Sequence, residues 1–252
     1  MNMDKRREKI VELVNGESSV SFAQIKKAFP HVSEMTLRTD LKALDEAHSI
    51  VRVHGGARSV SYVIGTDDLL DNRTGRNVEE KMDIARKAAQ LLRPDTTVYL
   101  DSGSSTTALA RTMPDMRLLV FTNSVTVTSE LARLVDAQAF VVGGRLNRYS
   151  MSLHGSTAIK AVRDLSFDQL FLGVTSYQAD VGFTCGSDEE AALKKVCIEQ
   201  SEQVIALMDS SKVDRRSTFS VCRLDDVDVV VTDAGIPRDF VVACNNAEVR
   251  VI

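Results

Sequence analysis

Residues 101–107 read Asp-Ser-Gly-Ser-Ser-Thr-Thr, between a β-rich run, Val98-Tyr-Leu100, and a helical pattern over 106–113. Small and hydroxylated residues at a helix N-terminus offer backbone amides, hydroxyls and the positive end of the helix dipole, a combination suited to a phosphate group. Capping alone needs one residue, Ser104 or Ser105; six small or polar residues in succession exceed that need. Three further polar stretches follow β-rich runs: Thr122-Asn-Ser124, Gly143-Gly-Arg145 and Asp209-Ser-Ser-Lys212. The predicted anion site therefore comprises Asp101, Ser102, Gly103, Ser104, Ser105, Thr106, Asn123, Ser124, Gly144, Arg145 and Lys212. Asp101 has the wrong charge to touch phosphate and is expected to hold a ligand hydroxyl or brace the loop. Lys212 is the expected countercharge, with Arg145 the alternative, and Gly103 should admit close backbone approach.

These stretches need a scaffold that brings them to one edge. Strand-like runs occur at 97–100, 118–122, 139–142, 169–174, 203–208, 227–232 and 248–252. Helical patterns fall mostly between them, at 78–92, 106–113, 124–135, 156–165, 187–201 and 237–244. Such alternation predicts an α/β domain with a mainly parallel sheet, which binds ligands at the carboxyl ends of its strands.

The first 58 residues have a different character. They carry a net charge of +2 against −6 for the remainder of the 252-residue chain. A helix is expected over 3–14, ending at Asn15-Gly16, and Ser21 with Gln24 has the spacing of a capping box. Phe22, Ile25 and Phe29 form the buried stripe of a second helix, which Pro30 stops. Ser33 is the expected N-cap of a third helix, 34–47, with Leu37, Leu41 and Leu44 facing inward. Met35, Thr39, Lys42 and Glu46 then face outward, flanked by Thr36 and Arg38. A hairpin follows, with Ile50–His54 as one strand, Gly55-Gly56 as the turn and 57–63 returning. Two helices joined by a tight turn, then a basic hairpin, predict a winged helix-turn-helix reading double-stranded DNA. Its predicted DNA contacts are Ser33, Met35, Thr36, Arg38, Thr39, Lys42, Arg52, His54 and Arg58. A helical protein-binding module with a solvated basic face is the alternative. The predicted boundaries are a DNA-binding domain at 1–58, a polar linker at 59–75 and a ligand-binding domain at 76–252.

Ser33-Glu-Met-Thr-Leu-Arg-Thr-Asp-Leu41 with Arg52-Val-His-Gly-Gly-Ala57 resembles the signature of DeoR-type bacterial transcriptional regulators. That pattern usually carries two successive arginines, where this chain has Arg38 and Thr39, so one expected DNA contact is weakened. Asp101–Thr106, Thr122-Asn-Ser124, Gly143-Gly144, Phe171-Leu-Gly173 and Asp209-Ser-Ser-Lys212 are similar to the effector domain of the same family. The resemblance implies a fold like ribose-5-phosphate isomerase, a phosphorylated sugar as effector, operator DNA as partner, and repression of a carbohydrate operon. A homodimer or homotetramer is expected, because one winged module covers only a short half-site.

A sugar-phosphate isomerase with an appended DNA-binding domain is the rival reading. Isomerases of that fold place two acids after the strand matching Gln169–Leu172, then a Lys and a Glu. Here the strand continues as Leu172-Gly-Val-Thr175 without an acid, and Cys185 and Lys194 stand near the other two positions. The residues Glu189, Glu190, Lys194 and Lys195 read as the solvated face of a helix. No catalytic residue, cofactor or metal is therefore expected. An acyl-CoA or folate enzyme lacks a candidate nucleophile or nucleotide motif. The four cysteines (Cys185, Cys197, Cys222, Cys244) form no CxxC pair and read as buried thiols in a reducing compartment. No run of about 18 apolar residues spans a membrane, and the charged start, Met1–Lys9, resembles no export signal. The expected location is the cytoplasm.

Overall fold

The computed structural model describes residues 2–17, 19–47, 49–53, 55–59 and 70–252. The chain divides into two compact units, 1–68 and 69–252.

The first unit runs α1 (Met3–Glu17), β1 (Ser19–Ser21), α2 (Phe22–Ala28), α3 (Glu34–Glu46), β2 (Val51–Val53) and β3 (Gly56–Arg58). Both predicted caps form. Ser21 accepts from the Gln24 amide at 3.2 Å while Gln24 accepts from the Ser21 amide at 2.8 Å, and Ser33 accepts from the Thr36 amide at 3.1 Å. Ile10, Val14, Ile25, Leu37, Leu41 and Leu44 meet in one core. Helix α1 continues past Asn15-Gly16 to Glu17. Burial of Val14 and its packing outweigh the roughly 1 kcal/mol that a helical glycine costs.

The wing departs from its predicted form in two ways. Gly56 pairs with Val53, so it begins a strand instead of completing the turn. Gly55 supplies the positive φ, at 81°. Gly56 is needed for closeness: a Cβ there would lie 2.2 Å from the Val20 carbonyl oxygen on β1. Strand β1 makes the wing three-stranded, in the order β1-β3-β2, a pairing between distant segments that no hairpin signal contains.

In the second unit the central sheet has seven strands, all parallel. They are β4 (Thr96–Leu100), β5 (Leu118–Thr122), β6 (Gln138–Val141), β9 (Gln169–Gly173), β12 (Val204–Leu207), β14 (Val229–Val231) and β15 (Arg250–Val251). Each corresponds to one of the seven apolar runs, and the order is β15-β14-β12-β9-β4-β5-β6. Successive side chains enter opposite layers, as the pleat requires. Tyr99, Leu170 and Ala206 join one core; Val98, Leu100, Phe171 and Ile205 join the other.

The covering helices are α4 (Leu70–Thr74), α5 (Val78–Ala89), α6 (Ser104–Thr112), α7 (Val125–Leu131), α8 (Ser156–Arg163), α9 (Asp188–Glu199) and α10 (Arg238–Asn246). Two small antiparallel sheets complete the unit: β7 (Arg145–Asn147) with β8 (Ser152–His154), and β10 (Ser176–Gln178), β11 (Gly182–Cys185) and β13 (Phe219–Cys222). Helix α4 lies inside the predicted linker 59–75. Its Leu70 is buried. Among the described residues no helix is long and apolar enough to cross a membrane.

From β4 the chain moves to β5 and β6 on one side, then returns to lay β9 on the other. The connections after β4 and β9 therefore leave in opposite directions and open a crevice at the carboxyl ends of these neighbours.

Candidate functional site

The crevice is a cleft open to solvent, lined by Ser102–Ser105 after β4, Gly173–Thr175 after β9, and Arg73, Glu190 and Lys212. Helix α6 begins there in an unusual way. Its N-cap is Gly103, with φ 146°, and no side chain caps the first turn. Simple capping by Ser104 or Ser105 is thereby excluded. The first-turn amides have the geometry and dipole polarity to receive an anion.

The rest of the Asp101–Thr106 stretch braces this loop. Thr106 is buried and its hydroxyl donates to the Gly103 carbonyl at 3.0 Å; Thr107 does the same at 2.7 Å. Asp101 is also buried, accepting from the Gly173 amide at 3.0 Å and pairing with Lys194. Of the two predicted roles for Asp101, bracing is the one this geometry fills. A Cβ on Gly173 would fall 2.7 Å from the Ser102 carbonyl oxygen, so the ends of β4 and β9 approach as closely as backbone allows.

Lys194 corrects the reading of α9 as a solvated charged face. It is 2% exposed, donates to the Gly173 carbonyl at 2.9 Å, and lies 3.3 Å from Glu190. Burial disfavours its charge, but Asp101 and Glu190 outweigh that and hold its pKa above the ordinary lysine range. The spacing Glu190-Lys194 revealed the i,i+4 pair; Asp101, 93 residues away, could not be read from it.

Several predicted site residues lie outside the cleft. Ser124 caps α7, accepting from the Val127 amide at 3.2 Å. Asn123 donates to the Leu153 carbonyl at 3.2 Å. Both are buried; the Asn123 amide nitrogen joins β5 to β8, while its Oδ1 is buried without a hydrogen-bond partner among the described residues. Gly144, at φ 147°, sits so close to His154 that a Cβ would be 2.6 Å from its carbonyl oxygen. Arg145 is exposed and pairs with Glu189 across the surface, leaving Lys212 as the predicted cation that lines the cleft.

Two features escaped sequence reasoning. Arg73 lines the cleft from the presumed linker. His154, buried, bonds Ser152 Oγ through Nε2 at 2.6 Å, and burial pulls its pKa below the ordinary imidazole value. The alternating polar residues Ser150, Ser152 and His154 were the available signal for the latter. All four cysteines are buried, and none forms a disulfide.

On the first unit, Met35 is 75% exposed on α3, and Arg38, Thr39 and Lys42 are exposed with it. The Arg38 guanidinium sits 4.3 Å from the centre of the Phe22 ring and 3.8 Å from Glu34. Thr39 returns its hydroxyl to the Met35 carbonyl at 3.0 Å. Arg52 is exposed on β2, and its amide donates to Asp45 of α3 at 2.9 Å, which fixes the wing to the helix. Arg58 is placed by its backbone on β3, and His54 lies outside the described residues. Arg6 and Arg7 turn inward to bond the buried Asp40 at 2.6 and 3.0 Å.

Family models match nearly all of this architecture. Residues 6–63 match the DeoR-like helix-turn-helix domain, and residues 76–234 match the DeoR C terminal sensor domain. The chain belongs to the DeoR family. It is similar to the HTH-type transcriptional regulator YulB of Bacillus subtilis, at 32% identity over all of this chain and 96% of that one. It is also similar to the putative aga operon transcriptional repressor of Escherichia coli O157:H7, at 30% identity over 98% of this chain and 93% of the other. Ribose 5-phosphate isomerase A of Methanocaldococcus jannaschii overlaps 54% of this chain and 55% of its own, with a TM-score of 0.40 and 13% identity, a likeness too slight to speak for chemistry. As a DeoR-family member the chain is a DNA-binding transcriptional regulator with a sensor domain. Arg73 falls between the two matched spans.

Proposed function

We propose that this regulator is a cytoplasmic repressor of a carbohydrate operon whose affinity for operator DNA is set by a phosphorylated sugar. The DNA-binding domain is residues 1–58. Ser33, Met35, Thr36, Arg38, Thr39 and Lys42 of α3 enter the major groove, and Arg52, His54 and Arg58 follow the backbone. A homodimer or homotetramer supplies paired half-sites. The effector domain receives the phosphate at Ser102–Ser105, opposite Lys212, with the sugar toward Glu190.

The observation that carries this reading is the N-terminus of α6, uncapped by any side chain and beginning at Gly103, in a cleft shared with a lysine. A charge-assisted site of this kind discriminates strongly for an anion. Calorimetric titration with matched pairs of sugar and sugar phosphate, followed by band-shift titration on operator DNA, tests it. At least one phosphorylated member should bind and alter DNA affinity while its parent sugar does neither. Equal affinity within every pair would reduce the loop to a bare helix start.

The effector domain performs no isomerisation in this reading. Moving a proton between sugar carbons requires a base positioned at the substrate. Leu172-Gly-Val-Thr175 offers none, and Glu190, the carboxylate lining the cleft, is paired with Lys194, which Asp101 also holds. Ribose and ribulose phosphates should therefore not interconvert above background. Turnover abolished by Glu189→Ala would restore the enzyme.

A further inference from the structure

Arg73 reaches the cleft from the stretch of chain that enters the second unit, and that stretch is fastened with care. Lys81, 5% exposed on α5, sends its ammonium back to the carbonyl groups of both Arg73 and Arg76. Asn77, held at φ 48°, donates its side-chain amide to Asp209 at 2.9 Å and to Ser211 at 3.1 Å. The same turn, Ser210–Lys212, carries Lys212 into the cleft. Segment 70–77 and the Lys212 turn are thus joined beneath the cleft and present one cation each to it.

Several charged groups meet at this junction. Arg73, Arg76 and Lys212 each act electrostatically on the Lys81 ammonium, as does the Asp209 carboxylate, and Glu190 lines the cleft with Arg73 and Lys212. Arg73 and Lys212 line the cleft together, so an anion held there is attracted by both. A ligand shifts a conformational equilibrium only through contacts that differ between its states. Arg73 provides such a contact, because an anion bound to it favours the fastened arrangement of 70–77 over any other.

We infer that Arg73 is a phosphate-binding residue and Lys81 its positioning residue, so that effector binding fixes segment 70–77, through which the chain enters the effector unit from the DNA-binding one. This rests on the phosphate site proposed above at Ser102–Ser105. It adds the route by which occupancy of that site is passed toward the DNA-binding unit.

Hydrogen exchange of the full chain, with inorganic phosphate as probe, separates the two proposals. In the unaltered protein, phosphate should slow exchange in peptides covering 101–108 and in those covering 70–78. In Arg73→Gln the first effect should persist with affinity weakened about tenfold, the scale of a lost hydrogen bond to a charged group, while the second disappears. Lys81→Met should behave like Arg73→Gln, and Lys81→Arg, which keeps donors for the two carbonyls, should recover the response at 70–78. If Lys81→Met does not fold, the variant Arg73→Gln decides alone. Protection at 101–108 without protection at 70–78 in the unaltered protein overturns this inference and leaves the phosphate site standing. A response at 70–78 that survives Arg73→Gln overturns it equally. Protection at neither place overturns both.

Discussion

Lys194 crosses from the middle of α9 to the end of β4 and pairs there with Asp101, deep beneath the cleft. The pair explains why an acidic residue can open a loop built for an anion. The lysine neutralises the carboxylate, and the carboxylate in turn holds the Gly173 amide, so the loop after β4 and the strand end of β9 become one rigid wall.

Breaking that pair from one side should be costly. Lys194→Met leaves Asp101 and Glu190 buried without their countercharge, and should destabilise the effector unit by about 3–5 kcal/mol. Adding Asp101→Asn should recover part of the loss, since the remaining groups are then neutral at that end. Urea titration followed by circular dichroism measures both. A single variant within about 0.5 kcal/mol of the parent would show that the pair contributes nothing.

The first unit has its own inward-facing charge at Asp40. Burial raises the cost of its carboxylate, but bonds and charges from Arg6 and Arg7 exceed that cost and leave its pKa below the ordinary value. A carboxylate with a depressed folded pKa contributes stability that is present above its unfolded pKa and lost as pH falls through the folded one. Asp40→Asn should therefore destabilise the winged unit by about 2–3 kcal/mol at neutral pH, less than a fully buried pair because the arginines are partly exposed. The difference between variant and parent should shrink as pH falls below about 4. A difference independent of pH would assign the effect to packing.

Local chemistry made much of the architecture legible. The parallel strands, buried on both faces, read as continuous apolar runs, and the caps at Ser21 and Ser33 need only residues three apart. What the sequence concealed depends on distant partners. Strand β1 becomes a strand only because Gly56 admits it. Arg6 and Arg7 look like surface cations until Asp40, more than 30 positions away, is folded against them. The same holds at the site. Hydroxyl and glycine content marked the loop Ser102–Ser105, while nothing local showed that Ser124 caps α7 or that the Asn123 amide nitrogen bonds Leu153, 30 positions away. Arg73 was hidden because Asp, Asn, Gly and Thr around it have the composition of a linker.

Gly103→Ala tests the loop at its most constrained point. A Cβ would find only Thr106 Oγ1, at 3.7 Å, so crowding is not the obstacle. The backbone is: at φ 146° an alanine is strained by about 1–3 kcal/mol. Relief would turn the first amides of α6 away from the cleft. Phosphate-dependent protection of 101–108 should vanish while operator binding without effector is unchanged. Retention of the full response would remove the loop from the site.

On the DNA side, Arg38→Ala should cost about 1–3 kcal/mol on operator DNA if the guanidinium reads a base edge, and much less on random DNA. Arg52→Ala should instead weaken both alike and reduce the salt dependence by about one unit of slope. Band-shift titrations at several salt concentrations distinguish them. Unchanged affinity of Arg38→Ala for both DNAs would dismiss α3 as the recognition helix.

Lys81 gives the effector domain a pH dependence of defined sign. Burial, and then the charges of Lys212, Arg73 and Arg76, lower its pKa to about 8 despite the opposing effect of Asp209. The unfolded chain keeps this proton up to the ordinary lysine range, so between these limits it binds more protons than the folded chain, and stability should rise with pH there. An anion in the cleft acts in the reverse direction, favouring charged Lys81. Binding should therefore take up a fraction of a proton near pH 8, and affinity should fall as pH rises through that value. Sulfate is the right probe, because its own charge does not change in this range. Calorimetry in buffers of different ionisation enthalpy measures the uptake directly. Lys81→Arg, which keeps the charge at every accessible pH, should flatten the profile. A sulfate affinity that is level from about pH 7 to 9.5 in the unaltered protein would mean that Lys81 does not sense the anion, whatever else the cleft binds.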